Sequence, residues 1–322
     1  MTVVVTGASG HVGAALVRAL IEQGEAVRAL VRSDTRALQG LDVDVRKLDV
    51  GDVDGIRAAF QGARVVYHAA ARITLEAVAD PEAERVNVAG TRNIIDACKR
   101  QGVERLVHFS TIHAIDPLGH ELLAEGGGLP YERSKASAER EVVLAAAGDL
   151  DAVIVSPCAV VGPFDHKPSY IGRVLLMIAK GLVPATVAGG QSWVDVRDVA
   201  RGAITAAEKG KRGSRYVLHG KWRPMRELAT IASGIVGRSP PRFDIPTAWA
   251  QRFAPLAARA SRLIGQEPLF TKASFDALEL TPRQIDPRAR DELGHDTRPL
   301  DETLRDTFEW FREHGMMPRG RR

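Results

Sequence analysis

The stretch Val3-Val-Val-Thr-Gly-Ala-Ser-Gly-His-Val-Gly13 begins with an apolar β-branched run and continues with glycines at positions 7, 10 and 13. This order predicts a strand, a tight turn and a helix. We expect Gly7 to allow the turn, Gly10 to let the backbone approach a pyrophosphate, and Gly13 to let the helix pack closely against the strand. The helix N-terminus would then offer free N–H donors to the anion.

Strand-like and helix-like segments alternate after this turn. Strands are predicted over 26–31, 41–48, 64–67, 105–109 and 151–155. Helices are predicted over 14–21, 53–60, 81–99 and 131–147. The alternation predicts an α/β fold with a Rossmann-like, doubly wound parallel sheet that binds its ligands at the carboxyl ends of the strands.

The last third of the sequence is divided by many prolines into short helices and loops. Short strands are predicted over 193–196 and 215–218, with a helix over 199–208 between them. We therefore expect 1–160 to form a dinucleotide-binding domain and 161–322 to be mainly a smaller substrate-binding lobe, with about 194–220 returning to the sheet.

An apolar stripe at helical spacing, accompanied by arginines, runs through about 245–264. Its members are Trp249, Phe253, Leu256, Ala260 and Leu263. A basic helix of this kind is compatible with a membrane surface. The favoured interpretation is a helix that covers the core or the substrate cleft, because such stripes most often serve packing.

The charge and the cysteine content argue against a nucleic-acid partner, a zinc site and a disulfide framework. The chain of 322 residues carries 44 basic and 40 acidic side chains, a net charge of +4, and the basic ones are scattered, so no nucleic-acid surface is implied. Cys98 and Cys158 are too few for a disulfide framework or a zinc site, and no metal site is predicted. A reducing cytoplasm is the expected location, without a leader or a transmembrane segment.

Tyr131 and Lys135 stand four residues apart, on the same face of the helix predicted there. A nearby ammonium and the positive end of a helix dipole both favour phenolate, so we expect the pKa of Tyr131 to be lowered toward the working range of a general acid/base. Ser110 and Thr111 follow the fifth predicted strand. A hydroxyl, a phenol and an ammonium are thus predicted to converge at the edge of the glycine turn.

Taken together, Thr6-Gly7-x-x-Gly10-x-x-Gly13, the Ser110-Thr111 pair and Tyr131-x-x-x-Lys135 resemble an extended short-chain dehydrogenase/reductase of the NAD-dependent epimerase/dehydratase superfamily. Asn87-Val-x-Gly-Thr-x-Asn93 resembles the family's central helix. Ser156-Pro157 and Val161-Gly162-Pro163 resemble its dihydroflavonol-4-reductase-like branch. The resemblance covers about 2–220 well and the rest loosely, and it is specific because several motifs occur in the right order.

The resemblance implies catalytic roles for three side chains. Thr111, in place of the usual serine, would hydrogen-bond the substrate carbonyl oxygen. Tyr131 would donate a proton to that oxygen as hydride arrives, and Lys135 would hold the nicotinamide ribose and keep the phenol acidic.

The same resemblance implies binding residues, with Asp49 contacting adenine. The implied cofactor-binding residues are Thr6, Gly7, Ser9, Gly10, His11, Val12, Gly13, Arg32, Asp49, Val50, Ala69, Ala70, Ala71 and Pro157. Candidates for substrate contact are His113, Tyr170 and Trp193. For His113, a loop histidine that meets water is the alternative.

The end of the second predicted strand favours NADP over NAD. An NAD site places an acid there to accept from the ribose 2′-hydroxyl, whereas this strand ends in Val31-Arg32. Arg32 can pair with a 2′-phosphate. Asp34 lies further on and keeps NAD open as an alternative.

Three classes of reaction occur on such a scaffold. Dehydration is disfavoured because Ile112 and His113 follow Thr111, where dehydratases carry an Asp-Glu pair. Epimerisation of a nucleotide sugar is disfavoured because Ser156 and Ala159 stand where such enzymes usually carry Arg and Asn. The favoured reaction interconverts a small-molecule ketone or aldehyde and an alcohol.

A non-catalytic NADP-sensing protein is a further alternative, although such proteins typically lose Tyr or Lys. By resemblance, we also expect a homodimer formed by the helices over 81–99 and 131–147.

Overall fold

Seven parallel strands form the central sheet in the described part of the chain, which in this computed structural model comprises residues 2–74, 78, 80–116, 121–124, 126–263, 269, 271–280 and 286–317. In chain order, all the strands of the described residues, inside and outside this sheet, are β1 (Thr2–Thr6), β2 (Ala26–Val31), β3 (Asp44–Lys47), β4 (Ala63–His68), β5 (Arg105–Phe109), β6 (Ala152–Pro157), β7 (Ala159–Val161), β8 (Thr186–Val187), β9 (Gly190–Asp195), β10 (Arg215–Leu218), β11 (Trp222–Pro224) and β12 (Asp244–Ile245).

The α-helices surround the sheet and build the C-terminal lobe. They are α1 (His11–Glu22), α2 (Val53–Phe60), α3 (Pro81–Glu84), α4 (Gly90–Gln101), α5 (Pro130–Ala147), α6 (Tyr170–Ala179), α7 (Val196–Lys209), α8 (Met225–Ile235), α9 (Thr247–Leu263), α10 (Lys272–Leu280), α11 (Arg288–Leu293) and α12 (Leu300–Glu313).

The order of the strands in the sheet is β10-β6-β5-β4-β1-β2-β3. The order reverses between β1 and β4, and such a switch point leaves a crevice at the carboxyl ends of the two strands. Thr6, the last residue of β1, is paired with Leu30 on one side and His68 on the other. The predicted doubly wound parallel sheet is confirmed, and its crevice lies beside the glycine turn.

Both faces of the sheet are covered because side chains alternate along each strand. Val3 and Val5 face a core shared with α1 and α7, whereas Val4 faces a second core shared with α2, α4 and α5. Strand β1 is therefore buried on both faces, which explains its uninterrupted β-branched run.

The chain leaves the sheet after β6 and returns to it with β10. The strand predicted over 193–196 is instead β9 (Gly190–Asp195), which belongs to a separate three-stranded sheet with β7 and β11. A third core under this sheet brings Trp193 together with Phe308 and Phe311 of α12.

Two predicted strand boundaries need correction. The strand over 41–48 is only Asp44–Lys47, because Leu41 and Val43 pack against the first core from a loop. The strand over 151–155 continues to Pro157, which is tolerated because pairing with β5 ends at Val155.

The helix predicted over 81–99 is interrupted by a π-helical segment, Arg85–Ala89, between α3 and α4. Asn87 in this segment is buried and hydrogen-bonded to residues far away in the sequence. A π turn accommodates one extra residue, and such turns are frequent at functional sites.

The aromatic stripe of α9 does not cover the core. Trp249, Phe253 and Leu256 are exposed, and the contacts with the body are made from the opposite side of the helix. The side chains of Ala260 and Leu263 lie outside the described part. The interpretation of this stripe as covering the core was therefore wrong for its described members, and its interpretation as covering the substrate cleft stays a prediction.

Cys98 and Cys158 are buried free thiols whose pKa values are raised by burial. Among the described residues, no group of His, Cys, Asp and Glu side chains is arranged to hold a metal ion. Those residues also include no helix with the length and apolar character needed to cross a bilayer.

Two histidines are buried side by side between the sheet and α5. His68 and His108 are paired in register on β4 and β5, with ring centroids 5.4 Å apart. Burial, reinforced by the Lys135 ammonium, lowers the pKa of His68 to about 3 and that of His108 well below its ordinary value. Neither ring nitrogen of His108 has a hydrogen-bond partner among the described residues.

We predict that acid destabilises this protein through these histidines. The folded pKa values of both histidines lie below the unfolded value of 6.5. Above pH 6.5 the rings are neutral in both states and cause no loss of stability. Below pH 6.5 the unfolded chain takes up protons that the folded chain does not, so the free energy of unfolding falls with the pH. The loss is about 1.4 kcal/mol per pH unit for each histidine. Urea unfolding of the His108→Leu variant should show a shallower pH dependence and no loss of stability at pH 7.5, since no buried polar partner is abandoned. An unchanged slope would contradict this explanation.

Candidate active site

The glycine turn brings β1 and β4 closer together than side chains would allow. Gly7 has a φ of +67°, and a Cβ there would stand 2.6 Å from the nitrogen of Ala70. A Cβ on Gly13 would collide with the carbonyl of Gly7 and stand 2.9 Å from the Cα of Ala8. Gly7 therefore serves the turn as predicted, while Gly13 lets α1 pack on the turn itself.

A cleft of about 640 Å³ opens at this turn, a size typical of ligand sites. Eleven of the predicted cofactor-binding residues line it: Thr6, Gly7, Ser9, Gly10, His11, Arg32, Asp49, Val50, Ala69, Ala70 and Ala71. Val12, Gly13 and Pro157 do not line it, and their predicted contact with a cofactor stays a prediction. Sequence reasoning missed several other lining residues, among them the cations Arg36, Arg72, Lys167 and Arg173.

His11 links the cleft to the far side of the crevice. Its Nε2 lies 2.9 Å from the carbonyl oxygen of Pro163 and 3.2 Å from that of Gly162, so it donates to this pair. The N-terminus of α1 is thereby fixed to the segment that follows β7.

A chain of hydrogen bonds with a defined direction holds the floor of the cleft. Thr91 donates to the carbonyl of Asn87, so its Oγ1 accepts from Nε2 of His68 at 3.0 Å. The other ring nitrogen of His68 then accepts from Thr6 at 2.8 Å, and Thr6 Oγ1 accepts the N–H of Ala70 at 3.2 Å. The hydroxyl of Thr6 thus orders the loop beneath the cleft.

The charged side chains where the cleft meets the end of β2 differ in how closely they are paired. The Arg32 side chain is 67% exposed, with Glu82 Oε1 at 3.9 Å. Asp34 instead binds Arg36, with Nη2 at 2.7 Å, and this hydrogen bond lowers the pKa of Asp34 to about 2. The acid that kept an NAD site open is therefore already engaged by a guanidinium.

Asp49 is engaged in the same way. Arg85 of the π-helical segment donates to it at 2.7 Å, and the N–H of Gly51 donates at 2.8 Å. Its predicted contact with adenine stays a prediction, and any such contact would share the carboxylate with Arg85.

Thr111 and Tyr131 meet at the carboxyl end of β5. The Thr111 side chain lies close enough to the Tyr131 phenol to lower its pKa in part, and Thr111 Oγ1 accepts the N–H of His113 at 3.3 Å. Ser110 is directed away, since its hydroxyl donates to the carboxylate of Glu139. Of the two hydroxyls in the Ser-Thr pair, only that of Thr111 is available to act with Tyr131.

The expected lowering of the Tyr131 pKa was wrong. Burial raises the pKa of this phenol, and the neighbouring Thr111 side chain only partly opposes that effect. Lys135 Nζ donates to the carbonyl of Phe109 at 2.6 Å. Burial lowers the pKa of Lys135 to about 8, while the nearby Glu139 carboxylate opposes the shift.

A buried ion pair lies behind Lys135. Glu139 is completely buried and accepts from Ser110 and from the guanidinium of Arg215 on β10. Sequence reasoning missed this pair, although Glu139 lies one helical turn after Lys135 on the same face of α5.

Asn87 joins the cleft to the helix that carries Tyr131. Its Oδ1 accepts the N–H of Arg72 at 2.8 Å, and its Nδ2 donates to the Arg72 carbonyl at 3.0 Å and to Ser134 Oγ at 2.8 Å. Ser134 in turn donates to the carbonyl of Tyr131 at 2.8 Å. The π-helical segment thus positions the first turn of α5.

The three predicted substrate residues lie in different surroundings. His113 is near Tyr131, with Nδ1 at 3.9 Å from Glu132 Oε1, and burial lowers its pKa. Tyr170 lines the cleft at the start of α6. Trp193 packs in the third core, where its Nε1 donates to the carbonyl of Arg223 at 3.1 Å, so the structure gives it a packing role.

The doubly wound sheet and the glycine turn define the class of a dinucleotide-binding protein. The family model of the NAD dependent epimerase/dehydratase family matches residues 3–218, and the chain belongs to this family.

Two relatives and one solved structure cover nearly the whole chain. Sterol demethylase protein B of Methylococcus capsulatus is 38% identical, over 98% of this chain and 100% of its own length. A putative dihydroflavonol 4-reductase of Synechocystis is 34% identical, over 97% of this chain and 94% of its own. The protein in the crystal structure of gox2253 is 34% identical in sequence and superposes with a TM-score of 0.83, over 98% of this chain and 99% of its own.

We predict that the Asn87 bridge stabilises the fold more than its partner Ser134 does. Asn87→Ala removes all three hydrogen bonds of a buried side-chain amide and should lower the free energy of unfolding by about 2–4 kcal/mol. Ser134→Ala leaves Asn87 bonded to Arg72 and should cost about 1 kcal/mol. Equal urea midpoints for the two variants would contradict the bridging role.

Proposed function

We propose that the protein is an NADP(H)-dependent oxidoreductase that interconverts a ketone or aldehyde and the corresponding alcohol. The observation that carries the proposal is the placement of Thr111 beside Tyr131 at the carboxyl end of β5. Lys135 lies one turn further along the same helix.

The groups around the reacting carbonyl have complementary roles in this proposal. When bound, the cofactor supplies hydride to the carbonyl carbon. Thr111 holds the carbonyl oxygen, and Tyr131 gives its phenolic proton to that oxygen, which yields the alcohol. The raised pKa of Tyr131 keeps the phenol protonated near neutral pH, as a proton donor requires. In the oxidative direction the roles reverse.

Lys135 is assigned to holding the nicotinamide ribose. Its ammonium is buried, and the Phe109 carbonyl and the nearby Glu139 carboxylate fix its position on α5. With a pKa of about 8, Lys135 is mostly cationic at neutral pH.

The preference for NADP is supported by the charges at the end of β2. Arg32 and Arg36 are both exposed there, and Arg36 engages Asp34, whereas the Glu82 carboxylate is 3.9 Å from Arg32. A 2′-phosphate would therefore meet a guanidinium, whereas the 2′-hydroxyl of NAD would find its acceptor occupied.

An apolar, uncharged substrate is supported by the residues before the Gly162-Pro163 turn. Ser156 and Ala159 stand there, and neither of these neutral side chains offers a charged partner for a diphosphate. The Methylococcus relative is named for sterol chemistry, which agrees with an apolar substrate. The homodimer through the helices over 81–99 and 131–147 and the cytoplasmic location stay predictions.

A screen of aldehydes and ketones, run in parallel with NADPH and NADH, tests the reaction. Reduction of apolar carbonyls with NADPH is the expected result. Conversion of a nucleotide sugar with tightly bound NAD would favour the epimerase alternative, and cofactor binding without turnover would favour the sensor.

Replacement of Tyr131 tests the proton donor. Tyr131→Phe removes one hydroxyl and little packing, so kcat should fall by about 10²-fold or more while the Kd for NADPH stays nearly unchanged. A near-normal kcat in the Tyr131→Phe variant would rule out the assigned mechanism.

Replacement of Arg32 tests cofactor preference. A charge-assisted contact of about 1.5–3 kcal/mol corresponds to roughly 10- to 150-fold, so Arg32→Ala should weaken NADPH by about this factor and leave NADH almost unaffected. Arg46→Ala, which removes an exposed arginine outside the cleft, is the matched control. Equal weakening of both cofactors by Arg32→Ala would refute the assignment.

A further inference from the structure

The outer face of α9 exposes large apolar side chains. Trp249 is 61% exposed, Phe253 is 52% exposed and Leu256 is 66% exposed, and the first two rings stack with centroids 6.4 Å apart. Spacings of four and three residues place these side chains along one side of the helix.

The inner face of the same helix is made of small residues. Ala250, Ala254 and Ala258 are buried and recur every four residues, and the cluster that contains the first two includes Phe275 of α10. A helix that only covers a core places its large apolar residues inward and its polar residues outward. Helix α9 does the reverse, which indicates that its outer face is built to be covered by something else.

The charge on α9 indicates what covers it. Its sequence from Thr247 to Leu263 contains three arginines and no Asp or Glu. Arg252 and Arg259 are exposed beside the aromatic stripe. Pairing of α9 with α9 of a second copy would bring like charges together around the symmetry axis, whereas an anionic surface complements both the arginines and the apolar side chains.

We propose that α9 docks on an anionic lipid bilayer, lying in the plane of the interface. Trp249, Phe253 and Leu256 enter the acyl boundary, and Arg252 and Arg259 remain at the level of the lipid phosphates. This inference goes beyond the proposed reaction and does not depend on it. Its test is the binding of the protein to vesicles, which can be measured whichever reaction the protein catalyses.

Co-sedimentation of the full-length protein with vesicles tests the docking. We expect binding to phosphatidylcholine vesicles that contain phosphatidylglycerol, weaker binding to phosphatidylcholine alone, and loss of the difference at high salt. The Trp249→Ser/Phe253→Ser variant should bind anionic vesicles at least ~10-fold more weakly. Arg252→Ser/Arg259→Ser should lower binding to anionic vesicles only.

The control is Leu182→Ser, which removes a comparably exposed leucine, 59% exposed, from the loop that follows α6. It should bind vesicles like the wild type, and the thermal unfolding of every variant reports whether the fold is kept. A second readout uses the conservative Trp249→Phe variant. Tryptophan emission should shift to the blue when vesicles are added to the wild type and should shift much less in this variant.

Three outcomes would overturn the proposal. The first is a wild type that sediments with neither type of vesicle. The second is a Trp249→Ser/Phe253→Ser variant that binds like the wild type. The third is light scattering that shows a wild-type assembly which this variant alone dissociates, because α9 would then be a contact between copies of the chain.

Discussion

The close approach of β1 and β4 at their carboxyl ends is the constraint on which the site depends. Gly7 takes a positive φ and leaves no room for a side chain next to Ala70. Without that contact Thr6 could not accept from the Ala70 amide, and the loop under the cleft would lose its anchor. From Thr6 the hydrogen bonds continue through His68 and Thr91 to the carbonyl of Asn87. The glycine turn and the helix of Tyr131 are therefore parts of one polar network.

The features that could be predicted from sequence are those that local pattern decides. The apolar run before Gly7 and the spacing of Tyr131 and Lys135 act within a few residues, and both lie where the pattern placed them. The π-helical segment could not be predicted, because it depends on Asn87 meeting Arg72 and Ser134, which come from two other parts of the chain.

Burial explains the remaining differences. The proximity of Lys135 suggested an acidic phenol, but the lysine bonds a backbone carbonyl and desolvation dominates at Tyr131. In α9 the aromatic stripe and the alanine stripe are both apolar, so periodicity alone cannot tell which of them packs inward. In each case the tertiary environment decides, for the pKa of Tyr131 and for the face of α9 that packs inward, and a local sequence pattern does not contain that environment.

The ion pair of Glu139 and Arg215 has a consequence for how the protein is made. Glu139 lies on α5, whereas Arg215 arrives on β10, after the chain has left the sheet and come back. A nascent chain that ends near residue 160 would bury the Glu139 carboxylate without its guanidinium, and an unpaired buried charge is strongly destabilising. Residues 1–160 thus contain the carboxylate but not the guanidinium that neutralises it, and the pair is completed only after the strand that carries Arg215 has been synthesised.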